Sequence, residues 1–210
     1  MFQPHPSEKL NSLFSARPFQ GASPDASRFL FVGLDANYAP DIEDSPAFAS
    51  IVDYHEDGVA FWRQHDVHHP FLLRSYSGDG RRYHQNFSKI GFTSRDAHRV
   101  CFTELLHVPT VGRSDLQVED LHMPHLDALN LLITSGERRH VFLSAGVARL
   151  MRGSGRFPWL RRGTASTQPL PVLHLAGATT VYQHLHFSNY GKFQERMTGE
   201  ATAIAALARE

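Results

Sequence analysis

The chain has 210 residues, which is long enough for one domain with a full hydrophobic core. Its apolar content of 41% and charged content of 20% are ordinary for a globular protein, and no apolar run approaches the roughly 20 residues of a membrane-spanning helix. The formal net charge is zero, so composition alone does not indicate a nucleic-acid-binding protein. The single cysteine, Cys101, excludes an internal disulfide and a cysteine-rich metal site. Because the N-terminus lacks the pattern of a signal peptide, we expect a cytoplasmic protein.

An irregular N-terminal segment precedes the first predicted strand. Residues 1–27 are rich in Pro, Ser, Gly and Ala and predict an N-terminal arm or short helix, and residues 28–210 are predicted to form the main domain. Phe29–Gly33 is a continuous apolar run, as expected for a strand that is buried on both faces. The Asp-Ser-Pro sequence at 44–46 predicts the start of a helix, and a second helix is predicted over 57–64.

Strands and helices alternate along the rest of the chain. Further main strands are predicted at residues 99–106, 140–146 and 181–185, with an extra strand at 172–175. Helices are predicted through residues 83–90, 116–134 and 148–151, and Pro124 is expected to break the second of these. This alternation is typical of βαβ units. We therefore predict an α/β fold, a single-domain α/β/α sandwich around a central, mostly parallel sheet of four strands.

Polar, reactive side chains follow the first and the last main strand. Asp35 comes just after the strand at 29–33, and His186 and Ser188 come just after the strand at 181–185. In open α/β sheets, ligands bind at the carboxyl ends of the strands. The sequence therefore predicts one site built from both ends of the chain, and an enzyme is the leading interpretation.

Two short motifs resemble the uracil-DNA glycosylase superfamily, and the likeness covers about residues 28–195. The Gly-Leu-Asp-Ala-Asn-Tyr sequence at 33–38 is similar to the family's Gly-Gln-Asp-Pro-Tyr-His. The His-Phe-Ser-Asn-Tyr sequence at 186–190 is similar to the family's His-Pro-Ser-Pro-Leu. Between them, the strand at 100–106 resembles the one that carries the family's base-reading asparagine. The chain is thus identified as a divergent member of this superfamily.

The resemblance implies a monofunctional DNA glycosylase that acts in DNA repair. Such an enzyme hydrolyses the N-glycosidic bond of a flipped-out deaminated or damaged base and leaves an abasic site. Its partner is DNA, it needs no cofactor or metal, and we expect a monomer with no membrane association. Asp35 would stabilise the positive charge that develops on the sugar and orient water, and His186 would stabilise the departing base.

The resemblance also implies which residues bind the flipped base and which contact the DNA. Phe48 stands where the family keeps an aromatic ring that stacks on the flipped base, and Tyr190 stands where it keeps an apolar wedge. The residues predicted to line the base pocket are Gly33, Leu34, Asn37, Tyr38, Phe48, Thr103 and Glu104. The residues predicted to contact DNA are Ser188, Asn189, Tyr190, Arg149 and Arg152.

The chain departs from the family pattern at several positions. Proline is absent after Asp35 and after His186, and Glu104 stands where the family has its asparagine. An ionised glutamate only accepts hydrogen bonds, whereas an amide both donates and accepts. Either Glu104 is protonated, or it reads a donor on a different base, or Thr103 does the reading. Asn37 replaces the tyrosine that shuts out the thymine methyl group, so strict uracil specificity is not expected.

Two other functional classes remain open. His184 and His186 alternate along a strand and so share a face, and with Asp35 they could form a mononuclear metal site for hydrolysis. The His68-His69 pair adds further metal-ligand candidates. The third class is a glycosylase-like fold that is kept only for binding DNA or protein.

Each singled-out residue also has a simpler structural interpretation. Asp35 could cap a helix, Phe48 could belong to the core, Tyr190 could pack on Phe193, and Glu104 could face solvent. Residues 137–162 contain seven arginines and a single acid, Glu137, which fits either a solvated basic face or a surface that binds phosphates.

Overall fold

The computed structural model describes residues 2–112, 115–160 and 168–209. Its centre is a six-stranded sheet with the strand order β1-β4-β2-β6-β8-β7, and β3 pairs with β5 in a separate two-stranded sheet. The strands are β1 (Phe19–Gly21), β2 (Phe29–Gly33), β3 (Asn37–Tyr38), β4 (Val100–Glu104), β5 (Thr110–Val111), β6 (His140–Ser144), β7 (Val172–Ala176) and β8 (Thr179–His184).

Helices lie on both faces of the large sheet. The α-helices are α1 (Glu8–Ala16), α2 (Phe48–Glu56), α3 (Gly58–His65), α4 (Arg81–Ser88), α5 (Met123–Thr134), α6 (Ala145–Gly153) and α7 (Gln194–Ala208). Short 3-10 helices occupy Ile42–Asp44, Pro70–Leu72, Ser94–Arg99, Val118–Asp120 and Gly191–Phe193. Helices α5 and α6 pack on one face of the sheet, and α3, α4 and α7 pack on the other. None of the helices in the described ranges is long and apolar enough to cross a membrane.

The predicted α/β fold with a mostly parallel sheet is confirmed, but the predicted number of four strands is wrong. The four expected strands β2, β4, β6 and β8 are parallel and adjacent, and β1 and β7 extend the sheet at its two edges in antiparallel orientation. The extra strand at 172–175 was expected, whereas β1 was not. A strand of three residues carries no hydrophobic periodicity of its own, and it is defined by its pairing with β4.

The structure differs from the sequence predictions at Pro124 and in part of the N-terminal segment. Pro124 does not break a helix, because it lies in the first turn of α5, where the missing N–H of proline is tolerated. Residues before 28 form α1 and β1, so this segment contains the predicted short helix and also supplies an edge strand of the sheet. The backbone N–H of His5 donates to the carbonyl of Pro109 at 2.9 Å, which ties the segment to the loop before β5.

A row of aromatic rings crosses the four parallel strands on one face of the sheet. Phe102, Phe31, Phe142 and Tyr182 stand side by side in register on β4, β2, β6 and β8. The ring centroids of Phe31 and Phe142 are 4.6 Å apart with an interplanar angle of 14°, and those of Phe142 and Tyr182 are 5.4 Å apart at 16°. Stacking of this kind adds to the burial of the rings and fixes the relative level of the strands.

The next row on the same face is polar. Side chains two residues apart on a strand share a face, so the positions that follow the aromatic row are Glu104, Gly33, Ser144 and His184. These positions lie at the carboxyl ends of their strands. This face of the sheet thus carries a row of aromatic side chains, followed by a short polar row at the carboxyl edge, where α/β proteins bind ligands.

Buried histidines predict that acid destabilises this protein. Burial lowers the pKa of His68 and of His184 to about 3, and it lowers the pKa of His69 and of His84 well below the ordinary value. Above about pH 6.5 these groups are neutral in both states, so the stability is fully present. As the pH falls from there towards about 3, the unfolded chain binds protons that the folded chain does not, and each such histidine removes up to about 1.4 kcal/mol per pH unit.

Urea unfolding followed by circular dichroism at about pH 8 and about pH 5 checks this expectation. The unfolding midpoint should be clearly lower at the acidic pH. His68→Phe is the matched variant, because a phenyl ring can replace the imidazole that lies 4.4 Å from the Phe87 ring, and its pH dependence should be shallower. An equal or higher midpoint at the acidic pH would contradict the prediction.

Candidate active site

The candidate site lies at the carboxyl edge of the parallel strands. Asp35 follows β2, Glu104 ends β4, and His186 follows β8. The charge of Asp35 contributes to raising the pKa of Glu104 and opposes the lowering of the pKa of His186. The fold therefore brings together an acid from the first third of the chain, one from the middle and a histidine from near its end.

A small parallel sheet holds Asp35 in place. Thr110 of β5 is fully buried, and its hydroxyl donates to the Asp35 carboxylate. The backbone N–H of Thr110 donates to the carbonyl of Ala36 at 2.9 Å. The side chain of Asn37 donates to the Thr110 hydroxyl at 3.1 Å and to the carbonyl of Gly112. The Asn37 amide, a predicted pocket residue, thus secures the loop that orients Asp35.

Glu104 lies directly over Gly33, its neighbour in the strand register. A Cβ placed on Gly33 would stand 1.9 Å from Oε2 of Glu104, so the carboxyl group occupies the space that a side chain at position 33 would take. Desolvation by burial, together with the charge of Asp35, raises the pKa of Glu104 well above its usual range. Nε2 of His125 in α5 lies 2.8 Å from the Glu104 carbonyl, which positions the end of β4.

Thr103, the other predicted reader of the base, faces away from this constellation. It is buried, and its hydroxyl donates to the carbonyl of Pro18 at 3.0 Å, next to β1. Consecutive side chains on a strand point to opposite faces, so Thr103 and Glu104 cannot both line the site. The structure brings Glu104, and not Thr103, next to Asp35.

The loop after β8 presents His186 in one tautomer. Nδ1 of His186 lies 3.3 Å from the backbone N–H of Ser188 and 2.6 Å from the Ser188 hydroxyl. Because a backbone N–H can only donate, Nδ1 accepts, and in the neutral ring the proton is on Nε2. Burial lowers the pKa of His186, so this neutral form is the one present at neutral pH. Asn189 completes the turn, with its side-chain amide 2.9 Å from the His186 carbonyl.

Helix α4 supports this loop, and sequence reasoning assigned it no functional residue. The buried Asn86 donates from Nδ2 to the carbonyls of Phe187 at 2.6 Å and of Asn189 at 3.2 Å. The ring of Tyr83 lies 5.3 Å from the His186 ring. Burial and the charge of Glu104 raise the pKa of Tyr83, which places its phenol near that carboxyl group. Tyr83 and Asn86 are three residues apart and so share a helix face, but nothing in the sequence indicates what that face meets.

Tyr190 stands at the tip of the loop with 67% of its surface exposed. The guanidinium of Arg82 lies 4.6 Å from the centroid of its ring, in cation–π contact. An exposed aromatic side chain with a cation beside it is therefore available at the rim of the site.

The remaining predicted pocket residues lie in or against the core. Tyr38 is buried, and its hydroxyl accepts a hydrogen bond from Gln20 at 2.9 Å. Phe48 is half-buried and packs against the hydrophobic cluster that contains Tyr38 and Ala36. Leu34 is half-buried and packs against the hydrophobic cluster that includes side chains of α5 and α6. None of these side chains belongs to the group formed by Asp35, Glu104 and His186.

Among the described residues, the arginines between 138 and 156 do not form one surface. Arg139 is buried, and its guanidinium donates to backbone carbonyls, among them that of Leu132 at 2.6 Å, at the end of β6 away from the site. Arg156 pairs with Asp127 at 3.6 Å. Arg149 is exposed on α6, and Arg152 lies in the last turn of that helix. Residues 161 and 162 lie outside the described residues.

The set proposed for a metal site is not arranged for coordination. Within residues 2–112, 115–160 and 168–209, no group of three or more His, Cys, Asp or Glu side chains could hold a metal ion. The ring of His184 is buried 4.8 Å from the ring of Phe187, whereas His186 bonds to Ser188. His68 and His69 are buried beside His84 in the hydrophobic interior.

A scan against protein-family models and a search of the curated proteins found no match to this chain. The likeness to the uracil-DNA glycosylase superfamily therefore rests on the motifs at residues 33–38 and 186–190.

Proposed function

We propose that this protein is a DNA glycosylase that hydrolyses the N-glycosidic bond of a flipped-out deaminated or damaged base. The observation that carries the proposal is that Asp35 and His186 follow the parallel strands β2 and β8 and so lie at the same carboxyl edge of the sheet. A carboxylate and a neutral imidazole are the two groups needed on the two sides of a glycosidic bond. Motifs at the two ends of the chain resemble those of one glycosylase superfamily, and they supply this acid and this histidine.

Asp35 acts on the sugar side of the bond. Cleavage produces positive, oxocarbenium-like charge on the deoxyribose, and a fixed carboxylate stabilises that charge. The hydroxyl of Thr110 fixes the orientation of the Asp35 carboxylate, so little reorganisation is needed during the reaction. The same carboxylate orients the water that attacks the sugar and accepts its proton.

His186 acts on the base side. With Nδ1 accepting from Ser188, its Nε2–H is the donor that stabilises negative charge on the departing base. A neutral imidazole suits this role, since it donates a hydrogen bond without needing to lose a proton at neutral pH. The ring of Tyr83 lies against His186 and limits its movement.

DNA is bound at the rim of the same edge. Tyr190 enters the stack that the flipped nucleotide leaves, and Ser188 and Asn189 lie in the same loop near the backbone phosphates. Arg149 and the Arg82 that contacts Tyr190 add positive charge. Because the net charge of the chain is zero, these few contacts give modest affinity that falls with salt. The proposal describes a cytoplasmic, monomeric enzyme without a cofactor, and the buried Cys101 thiol fits a reducing compartment.

Asp35→Asn should abolish base release and leave DNA binding intact. The amide keeps the size and the acceptor for Thr110 but loses the charge that stabilises the sugar cation, so the single-turnover rate should fall by at least about a hundredfold. The measurement is cleavage of abasic products on a gel, with single- and double-stranded oligonucleotides that carry uracil or hypoxanthine. Asp53→Asn, an exposed change on α2, is the matched control and should retain the full rate.

If the unmodified protein releases no base from any of these oligonucleotides, the glycosylase proposal is wrong. If it binds them tightly and releases none, the chain is a binding protein with this fold.

Asn86→Ala should reduce base release through the loop that carries His186. The change removes the donors to Phe187 and Asn189 and leaves two carbonyls without these partners. A loss of this kind costs about 1–3 kcal/mol, so the rate should fall about ten- to a hundredfold if the loop loses its position. The pH profile should also shift, because the environment of His186 changes.

Ser88→Ala is the control on the same helix, since this exposed hydroxyl donates to the His84 carbonyl of that helix. It should have the normal rate. A normal rate and pH profile for Asn86→Ala would show that this helix does not position the loop.

A further inference from the structure

Asp35 and Glu104 lie in contrasting environments within one site. The Asp35 carboxylate receives a hydrogen bond from the Thr110 hydroxyl. The Glu104 carboxyl lies over the bare Cα of Gly33, at the end of a buried strand. Two neighbouring carboxyl groups with such different surroundings are suited to different roles, one as an acid and the other as a base.

The titratable groups whose charges interact with that of Glu104 come from four different parts of the fold. They are Asp35 after β2, Tyr38 of β3, Tyr54 of α2 and Tyr83 of α4. Three of these are phenols, whose pKa values burial raises, so they carry no charge at neutral pH. The remaining group is the carboxyl of Asp35. The groups that shift the pKa of Glu104 include no cation, and burial and Asp35 both raise it.

A protonated Glu104 differs in chemistry from the amide that the glycosylase resemblance leads one to expect at this position. An amide donates a hydrogen bond but keeps its hydrogen, whereas a carboxylic acid can also transfer it. Thr103 does not compete for the role, because its hydroxyl bonds to the Pro18 carbonyl on the other side of the strand.

We propose that Glu104 is the general acid of this site and transfers its proton to the departing base, while Asp35 remains the carboxylate beside the sugar. This inference rests on the proposed glycosylase function and deepens it. The two carboxyl groups then divide the work as the acid and base of a glycoside hydrolase do.

The proton and electron balance of the step is complete. As the bond between the sugar carbon and the base nitrogen breaks, its electron pair stays with the base, and the base takes the proton of Glu104. Water adds to the sugar carbon and gives one proton to Asp35. The products are a neutral base, an abasic sugar, an ionised Glu104 and a protonated Asp35. Proton transfer from Asp35 to Glu104, directly or through water, restores the starting state.

This assignment defines the class of substrate. A base that leaves readily as an anion needs only the hydrogen bond from His186, whereas a base whose anion is unstable must be protonated as it leaves. A proton donor in the pocket therefore extends the accepted substrates to bases that are poor leaving groups. It also predicts that the rate falls as the pH rises and Glu104 ionises.

Glu104→Gln tests the proposal because glutamine keeps the size of the side chain and a hydrogen-bond donor but cannot transfer a proton. Single-turnover rates at about pH 7 are compared on oligonucleotides that carry uracil, hypoxanthine or 5-fluorouracil, the last being the best leaving group. We expect a loss of about 10²- to 10⁴-fold on uracil and hypoxanthine, a much smaller loss on 5-fluorouracil, and no alkaline fall in the rate of the variant on uracil. Circular dichroism verifies folding.

An equal loss on all three bases, or full activity of the variant, would overturn the assignment of Glu104. If the variant does not fold, the unmodified protein decides: its rate on uracil must fall at alkaline pH and in deuterated water. If the unmodified protein releases none of the three bases, the glycosylase proposal itself fails. If it is active and only the Glu104 outcome is negative, the glycosylase proposal stands and this inference does not.

Discussion

The row of stacked rings across the four parallel strands is the constraint on which the site depends. Phe102, Phe31, Phe142 and Tyr182 stack on one another in one buried layer, and each ring fixes the level of its strand relative to the next. A shift of one strand by one residue would turn its aromatic side chain to the other face. The carboxyl ends of the strands therefore finish in line, and the loops after them begin at one edge.

The polar side chains at that edge have surroundings that depend on this hydrophobic layer. Glu104 sits one row beyond Phe102 and against Gly33, and its side chain is half-buried. Burial and the charge of Asp35 raise its pKa, which favours the protonated form. His186, by contrast, lies beyond the strand end on a loop. Its ring contacts the Ser188 hydroxyl of that loop, and Asn86 donates a hydrogen bond to the loop carbonyl of Phe187. The strand end and the loop beyond it thus place an acid and a histidine of one site in different surroundings.

Much of the fold could be predicted from the sequence, because the buried parallel strands are continuous apolar runs and glycine and proline mark their ends. The expected strand positions 29–33, 140–146 and 181–185 overlap β2, β6 and β8 closely. The edge strand β1 could not be predicted, since its three residues become a strand only by pairing with β4. The roles of Tyr83 and Asn86 were also beyond reach, because a helix face gives no sign of the loop that it will meet.

The sequence by itself determined the positions of the four main strands along the chain, the placement of Asp35 and His186 just after strand ends, and the glycine at position 33. Local pattern suffices for these, since each depends on neighbours along the chain. Only the tertiary structure decided that Glu104 lies beside Gly33 at the same sheet edge as Asp35, that Thr103 turns away, and that Arg139 is buried whereas Arg149 is exposed. These outcomes depend on strand register and on contacts between segments more than 60 residues apart, such as Gly33 with Glu104. A linear pattern cannot specify them, because the burial and charge that set the state of Glu104 come from side chains that only folding brings together.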